Sequence, residues 1–320
     1  MLQKKLTFLV LCMVLAVMTV LAAGCGEQAD NGGKKFINIA TGGTAGTYYP
    51  IGGAIAEILN TSIPDMNASA QSTGASVANI NMLQDGSVDL AIVQNDITFY
   101  ASNGTEMFKD KKVDNLRAIA TLYPETCQII TLEKSGINSI ADFKGKKIAV
   151  GAAGSGVEAN ARQIMQAYGI TYDDINVQYL SFGEAANALK DGNVDAAFIT
   201  AGYPTAAVQD ISSQNQIRLL PVDPDKADML IKDYPFYAKT TIPSGTYAGF
   251  DVDVPAVSVM AMLITTDKMS DELGGEVTKA IFSNLDRIKA AHATGSLITK
   301  EHATEALPIP MNGGAEKFLK

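Results

Sequence analysis

The sequence predicts an α/β protein of two lobes, each a mainly parallel sheet flanked by helices, with a ligand cleft between them. Three observations predict it. The stretch "LQDGSVDLAIVQND", from Leu83 to Asp96, returns as "LKDGNVDAAFITAG", from Leu189 to Gly202. Upstream of these copies, "FINIATGGTAGTYYPIGGAIAEIL" and "KIAVGAAGSGVEANARQIMQAYG" share the order strand, glycine-rich turn, helix. The copies lie too far apart for a solenoid, whose period is about 20–50 residues. Finally, the 320 residues, 47% of them hydrophobic, exceed the roughly 250–300 at which single cores stop growing.

From the N-terminus, Lys4 and Lys5 precede an uncharged apolar run from Leu6 to Ala23, the layout of a secretory signal or of a retained membrane span. The ending "LAAGC" resembles a bacterial lipoprotein signal, so residues 1–24 are expected to be removed and Cys25 to carry lipid. Residues 25–35 then read as a polar tether. Processing leaves Cys127, in the apolar run "CQIITL", as the sole cysteine, which reads as a small core residue rather than a reactive thiol.

In the first half, "FINIA" is a strand and Ile51, Ile55, Ile58 and Leu59 make the buried stripe of the following helix, with Pro50 in its tolerant first turn. Asp85-Gly86 is a turn whose glycine supplies positive φ, and "VDLAIV" is a continuous apolar strand suited to a sheet covered on both faces. The chain is expected to cross to the second lobe near Tyr123-Pro124. There Val157, Ala161, Ile164, Met165 and Tyr168 form a helical stripe that Gly169 ends. Asp173-Asp174 reads as a helix start, Asp191-Gly192 as the second turn and "VDAAFI" as the second strand. The return follows "AVSVMAMLITT", and a helix after Ser270 carries Val277, Ile281, Leu285 and Ile288. Lobe one is thus residues 36–124 and 268–320, and lobe two residues 125–267. Two crossings make a hinge.

Ligands of open parallel sheets meet the loops at the strands' carboxyl ends. "TGGTAGT" and "GAAGSG" there place small residues before helices, where unpaired N–H groups and the helix dipole favour an anion. A tight turn with nothing bound is the plain alternative for either loop alone. Neither loop has the Lys of a P-loop or G-x-G-x-x-G spacing, and "AGSGV" is no nucleophile elbow. No cofactor is called for. His292 and His302 read as solvated helix-flanking residues without metal-ligand spacing. Arg162 is placed either to reach an anion or to pair with Glu158. Ser72, Thr73, Gly74, Gln94, Asn95, Ser181, Phe182, Thr200 and Tyr203 complete the polar and aromatic candidates. Such groups bind without reacting, which argues against an enzyme. The balance of 25 basic and 34 acidic residues argues against nucleic acid.

The stretches "IATGGTAGTYYPIGGAIAEILN", "LRAIATLYPE", "FKGKKIAVGAAGSGVEANAR", "YLSFGEAANALKDGNVDAAFITAGYPT" and "YPFYAKTTIPSGTY" resemble the TAXI family, the solute-binding subunits of tripartite ATP-independent periplasmic (TRAP) transporters. The resemblance implies a type II periplasmic-binding-protein-like fold. It also implies a monomeric protein that closes on a small organic anion, such as glutamate, glutamine or an oxo-dicarboxylate, and delivers it to an ion-gradient-driven permease. Carried over by position, it points to Thr44, Gly46, Thr47 and Tyr48 in lobe one, and to Ser155, Gly156, Ser181, Phe182, Thr200 and Tyr203 in lobe two. The rival readings are the binding protein of an ABC importer and a surface sensor or adhesin using the same cleft.

Overall fold

The structure, a computed structural model, describes residues 35–320. The expected signal segment 1–24, the lipidation site Cys25 and all but the last residue of the tether lie outside the described residues.

The first half runs β1 (Lys35–Ala40), α1 (Tyr48–Ser62), β2 (Met66–Gln71), α2 (Ser76–Asp85), β3 (Leu90–Gln94) and α3 (Asn95–Asn103), and then enters β4 (Leu116–Leu132). The second half repeats that order: β5 (Lys147–Ala149), α4 (Gly156–Ala167), β6 (Asn176–Gln178), α5 (Phe182–Lys190), β7 (Ala196–Ala201) and α6 (Ala206–Gln214). There follow β8 (Ile217–Leu219), α7 (Pro224–Asp233), β9 (Ala238–Ile242), β10 (Val254–Thr266), α8 (Asp271–Phe282), α9 (Leu285–Ala291) and α10 (Gly313–Leu319).

One mixed sheet joins everything, in the order β2-β1-β3-β10-β4-β7-β5-β6. Read from either edge inward, the order is the same: second strand, first strand, third strand, then a long antiparallel strand. The parallel pairs are β1 with β3 and β5 with both β6 and β7. The antiparallel β4 and β10 lie back to back in the middle. Their length lets each serve both halves. β4 pairs with β10 up to Thr126 and with β7 from Thr126 to Thr131. β10 pairs with β9 from Val254 to Ser258, and with β3 from Ala261 to Ile264. β10 therefore pairs with strands of both halves.

The cores follow the helical stripes. Ile51, Ile55, Ile58 and Leu59 of α1 are fully buried with Ile37 and Ile39, and Ala161, Ile164 and Met165 of α4 with Ile148 and Phe198. Gly86 and Gly192 have φ of 78° and 72°, the positive values their turns demand. The helix after Ser270 is two helices rather than one: Val277 and Ile281 lie in α8, Leu285 and Ile288 in α9. The break is made by Asn284, whose Nδ2 donates to the Ala280 carbonyl at 2.8 Å, a side-chain bond that competes with helix propagation.

Candidate functional site

Between the two halves lies a cavity of about 60 Å3. A water needs about 10–15 Å3 by this measure, so a ligand of amino-acid size or smaller is the scale that fits. Its lining is drawn from both halves: Gly42, Gly43, Gly46, Thr47, Tyr48, Thr73 to Ser76, Gln94 and Glu125 on one side, Ala152, Ser155 to Val157, Ser181, Phe182, Thr200 and Ala201 on the other.

The lining is built from helix starts. The N-cap residues of α1, α2, α3, α4 and α5 are Thr47, Ala75, Gln94, Ser155 and Ser181, and all five line the cavity. Within each half the parallel strands deliver these segments to one end, and the halves run in opposite directions across β10 and β4, so the helix starts of both face the cavity between them. Of the five N-cap residues, Ser155 and Ser181 cap through Oγ, while at α3 the N–H groups of Asp96 and Ile97 donate to the side chains of Asn95 and Asp96. At α1 the N-cap side chain does something else, Thr47 Oγ1 donating to the Gly202 carbonyl of the other half at 2.9 Å. That leaves first-turn N–H groups of α1 without a side-chain partner. Among the described residues, no Lys, Arg or His stands in the lining. Positive potential here comes from backbone.

The two halves touch directly around the cavity. The N–H groups of Val77 and Ala78 donate to the Gly154 carbonyl at 3.1 Å each, and that of Ala207 to the Ala45 carbonyl at 3.2 Å. Each glycine-rich loop thus caps a helix of the opposite half. Glycine eases this approach: a Cβ on Gly46 would stand 3.2 Å from the Phe182 ring, and one on Gly74 3.2 Å from the Ala153 carbonyl, so each neighbour would have to shift.

Eleven of the sequence candidates line the cavity: Gly46, Thr47, Tyr48, Thr73, Gly74, Gln94, Ser155, Gly156, Ser181, Phe182 and Thr200. Four do not. Thr44 is exposed at the tip of its turn. Ser72 donates to the Gly42 carbonyl at 3.0 Å, and Tyr203 to the Thr241 carbonyl at 3.2 Å. Asn95 turns away to accept from the Met260 N–H at 3.1 Å, tying α3 to β10. Ser155 is buried and caps α4, accepting from the Glu158 N–H at 3.3 Å, so its proton remains to donate.

Arg162 is drawn off by two carboxylates, Glu106 at 3.1 Å and Glu158 at 3.6 Å, and is absent from the lining. His302 is exposed beside Glu305. His292 is half-buried and caps a short turn of helix, Nδ1 accepting from the Thr294 N–H at 3.1 Å. Cys127 is buried behind the cavity, its thiol pushed up to about 12 by desolvation.

Glu125 is the residue that sequence reasoning missed. It is 2% exposed, lines the cavity, and accepts from Tyr48 Oη at 2.8 Å. Burial pushes its carboxyl well above the usual range, and burial likewise raises Tyr48. The signal available was a single acid inside an otherwise uncharged run from Ala118 to Leu132. Gln94 adds a second unusual group: Nε2 donates to Asn160 at 2.8 Å, while the buried Oε1 has no partner. Ala75 adds a third. Its φ of 72° and ψ of −149° fall in a region that side chains rarely enter.

A family model described as NMT1-like matches residues 39–320. A segment of 85 residues is 36% identical to the putative aliphatic sulfonates-binding protein of Escherichia coli (strain K12), and covers 27% of this chain and 26% of that relative. Among solved structures, the alkanesulfonate-binding protein of Xanthomonas axonopodis pv. citri bound to MOPS is 19% identical with a TM-score of 0.50, covering 89% of this chain and 83% of its own. A putative L-cystine ABC transporter from Listeria monocytogenes is 15% identical with a TM-score of 0.51, covering 84% and 99%. At these identities the structural likeness carries the fold, which is that of type II periplasmic binding proteins. The comparisons also correct the motif resemblance to the TAXI family and its TRAP permease: the matching model is NMT1-like, and the relatives are sulfonate-binding and ABC-type proteins. Matched from β1 to its last residue, the chain belongs to the NMT1-like family.

Proposed function

We propose that this chain is the extracytoplasmic solute-binding component of an ABC-type importer, and that it captures one small organic anion between its two lobes. One observation carries the reading: five helix N-termini from both halves converge on a cavity whose lining, among the described residues, has no basic side chain. Backbone N–H groups in that arrangement suit a carboxylate, sulfonate or phosphonate of few atoms. The named relatives, described as sulfonate-binding and as a cystine ABC transporter, support the same class.

Closure is the mechanism that follows. β4 and β10 cross between the lobes as a paired hinge, and the bonds of Gly154 and Ala45 across the cleft hold the lobes together over the ligand. The closed form is the one a permease would read, because only there do both lobes present one continuous rim. The protein acts as a monomer that binds without turnover, and Cys25 holds it by lipid at the outer face of the cell membrane. Mass spectrometry of the native N-terminus checks the anchor. Retention of residues 1–24 would overturn it.

A thermal-shift screen against small carboxylates, sulfonates and phosphonates tests the binding. A ligand at 100 times its Kd adds about 2.7 kcal/mol to stability. No shift from any of the three classes would contradict the reading.

A further inference from the structure

Glu125 and Tyr48 are the titratable side chains in the cavity lining, and an acid is an odd neighbour for an anion. The surroundings of Glu125 explain what it does there. On its own strand, Tyr123 and Cys127 flank it two residues to either side, both buried, and the Tyr123 hydroxyl has no partner. From α1, Tyr48 Oη donates to Oε2. From α3, Asp96 adds a second buried carboxyl, held by Asn160 Nδ2 at 3.0 Å and the Ile97 N–H at 2.9 Å. Each of these neighbours is a phenol, a thiol or another acid, and among the described residues the lining offers no cation.

An ionised carboxylate so placed would lack a counter-charge and would repel the anion that the helix starts attract. A carboxylic acid has neither problem. With Oε2 accepting from Tyr48, Oε1 is left to carry a proton toward the cavity. Burial already drives the group strongly in that direction. Gln94 Oε1 is buried against Gly156, where a Cβ would stand 1.4 Å from it, so it packs on the start of α4 and leaves Glu125 as the group that faces the ligand.

Resting on the anion reading above, we propose that Glu125 is the specificity-determining residue of the site, a neutral acid that donates a hydrogen bond to a fully ionised organic anion. The protonated form is the one that binds. Glu125 then selects against ligands that present a cation at that point, because two donors would meet.

The test compares the purified full chain with Glu125→Gln, which keeps a donor, and Glu125→Ala, which does not. Infrared difference spectra at neutral pH, without ligand, should show a protonated-carboxyl band in the wild type that is missing in Glu125→Gln. Calorimetric titrations with isethionate and with 2-oxoglutarate, run from about pH 6 to about pH 9.5, supply the second arm. Wild-type affinity should fall about tenfold per pH unit once Glu125 ionises. Glu125→Gln should bind within about threefold of the low-pH wild type and stay flat with pH, and Glu125→Ala should lose about tenfold or more. The proposal is overturned if the infrared band is absent, if Glu125→Gln loses a hundredfold, or if affinity rises with pH. If neither probe binds the wild type at any pH, the donor assignment falls with the anion reading, and the infrared band reports on Glu125 separately.

Discussion

Asp89 and Asp195 occupy the same place in the two sequence copies and make the same bonds. Asp89 Oδ2 accepts from the Asn38 N–H, and Asp195 Oδ2 from the Lys147 N–H, each at 2.8 Å. Each thereby ties the start of its strand to the edge of the neighbouring parallel strand, which is why the "VD" pair recurs. Asp195→Ala should cost about 1 kcal/mol, the lower end for a charge-assisted bond at an exposed position, measured by urea unfolding. Ala75 predicts the opposite sign. Its left-handed φ stores strain of roughly 1–3 kcal/mol, so Ala75→Gly should raise the unfolding free energy by up to about 1 kcal/mol after glycine's entropic cost. No change, or a loss, would mean that the loop relaxes around alanine. The glycine loops and their hydroxyls were legible in the sequence because local chemistry decides them. Asn95 and Tyr203 were not, since their partners Met260 and Thr241 are remote in the chain. Glu125 was missed for the same reason: its meaning comes from Tyr48, which only the fold brings to it.

At the scale of elements, the repeat was legible as strand, turn and helix in each copy, and the sheet order mirrors it. The long antiparallel strands were harder to read. β4 and β10 belong to both halves, so apolar pattern alone places no boundary within them, and the break between α8 and α9 rests on one Asn284 side chain. The reciprocal caps are the element-level device of closure. Val77→Pro removes one of the two N–H groups that reach Gly154, in the first helical turn, where proline is tolerated. Stability should change by no more than about 1 kcal/mol, while ligand affinity falls roughly three- to tenfold, the worth of one hydrogen bond. Calorimetry and melting curves on the same preparation separate the two effects. Unchanged affinity would remove the cap from the closing mechanism.

Across the whole molecule, a buried polar network spans the hinge. Asn160 of α4 donates to Asp96 of α3 at 3.0 Å and to Tyr237 at 2.8 Å, Tyr237 donates to Gln163 at 2.7 Å, and Gln163 donates to Tyr100 at 3.0 Å. Through Gln94 this network reaches the cavity. Burial pushes the Asp96 carboxyl up to about 7. Between its unfolded value near pH 4 and about pH 7, the folded protein holds a proton that the unfolded chain has lost, so stability falls as pH rises through that window. Asp96→Asn should flatten this slope relative to wild type when unfolding is followed at about pH 5 and about pH 8. An identical slope would place the titration elsewhere.

The claim that one small anion is held between the lobes is tested most directly by filling the cleft. Gly43 lines the cavity, and a Cβ there would face Ser181 across it at 3.9 Å with no other atom nearby. Gly43→Trp should therefore occupy the space of the ligand without entering either core. Calorimetric titration with a panel of small carboxylates, sulfonates and phosphonates should find one anion that binds the wild type with a stoichiometry of about one. The same anion should give no detectable heat with Gly43→Trp, whose melting temperature stays within a few degrees. Equal affinity in the filled variant would mean that the anion binds elsewhere, and the account of this cavity would be wrong.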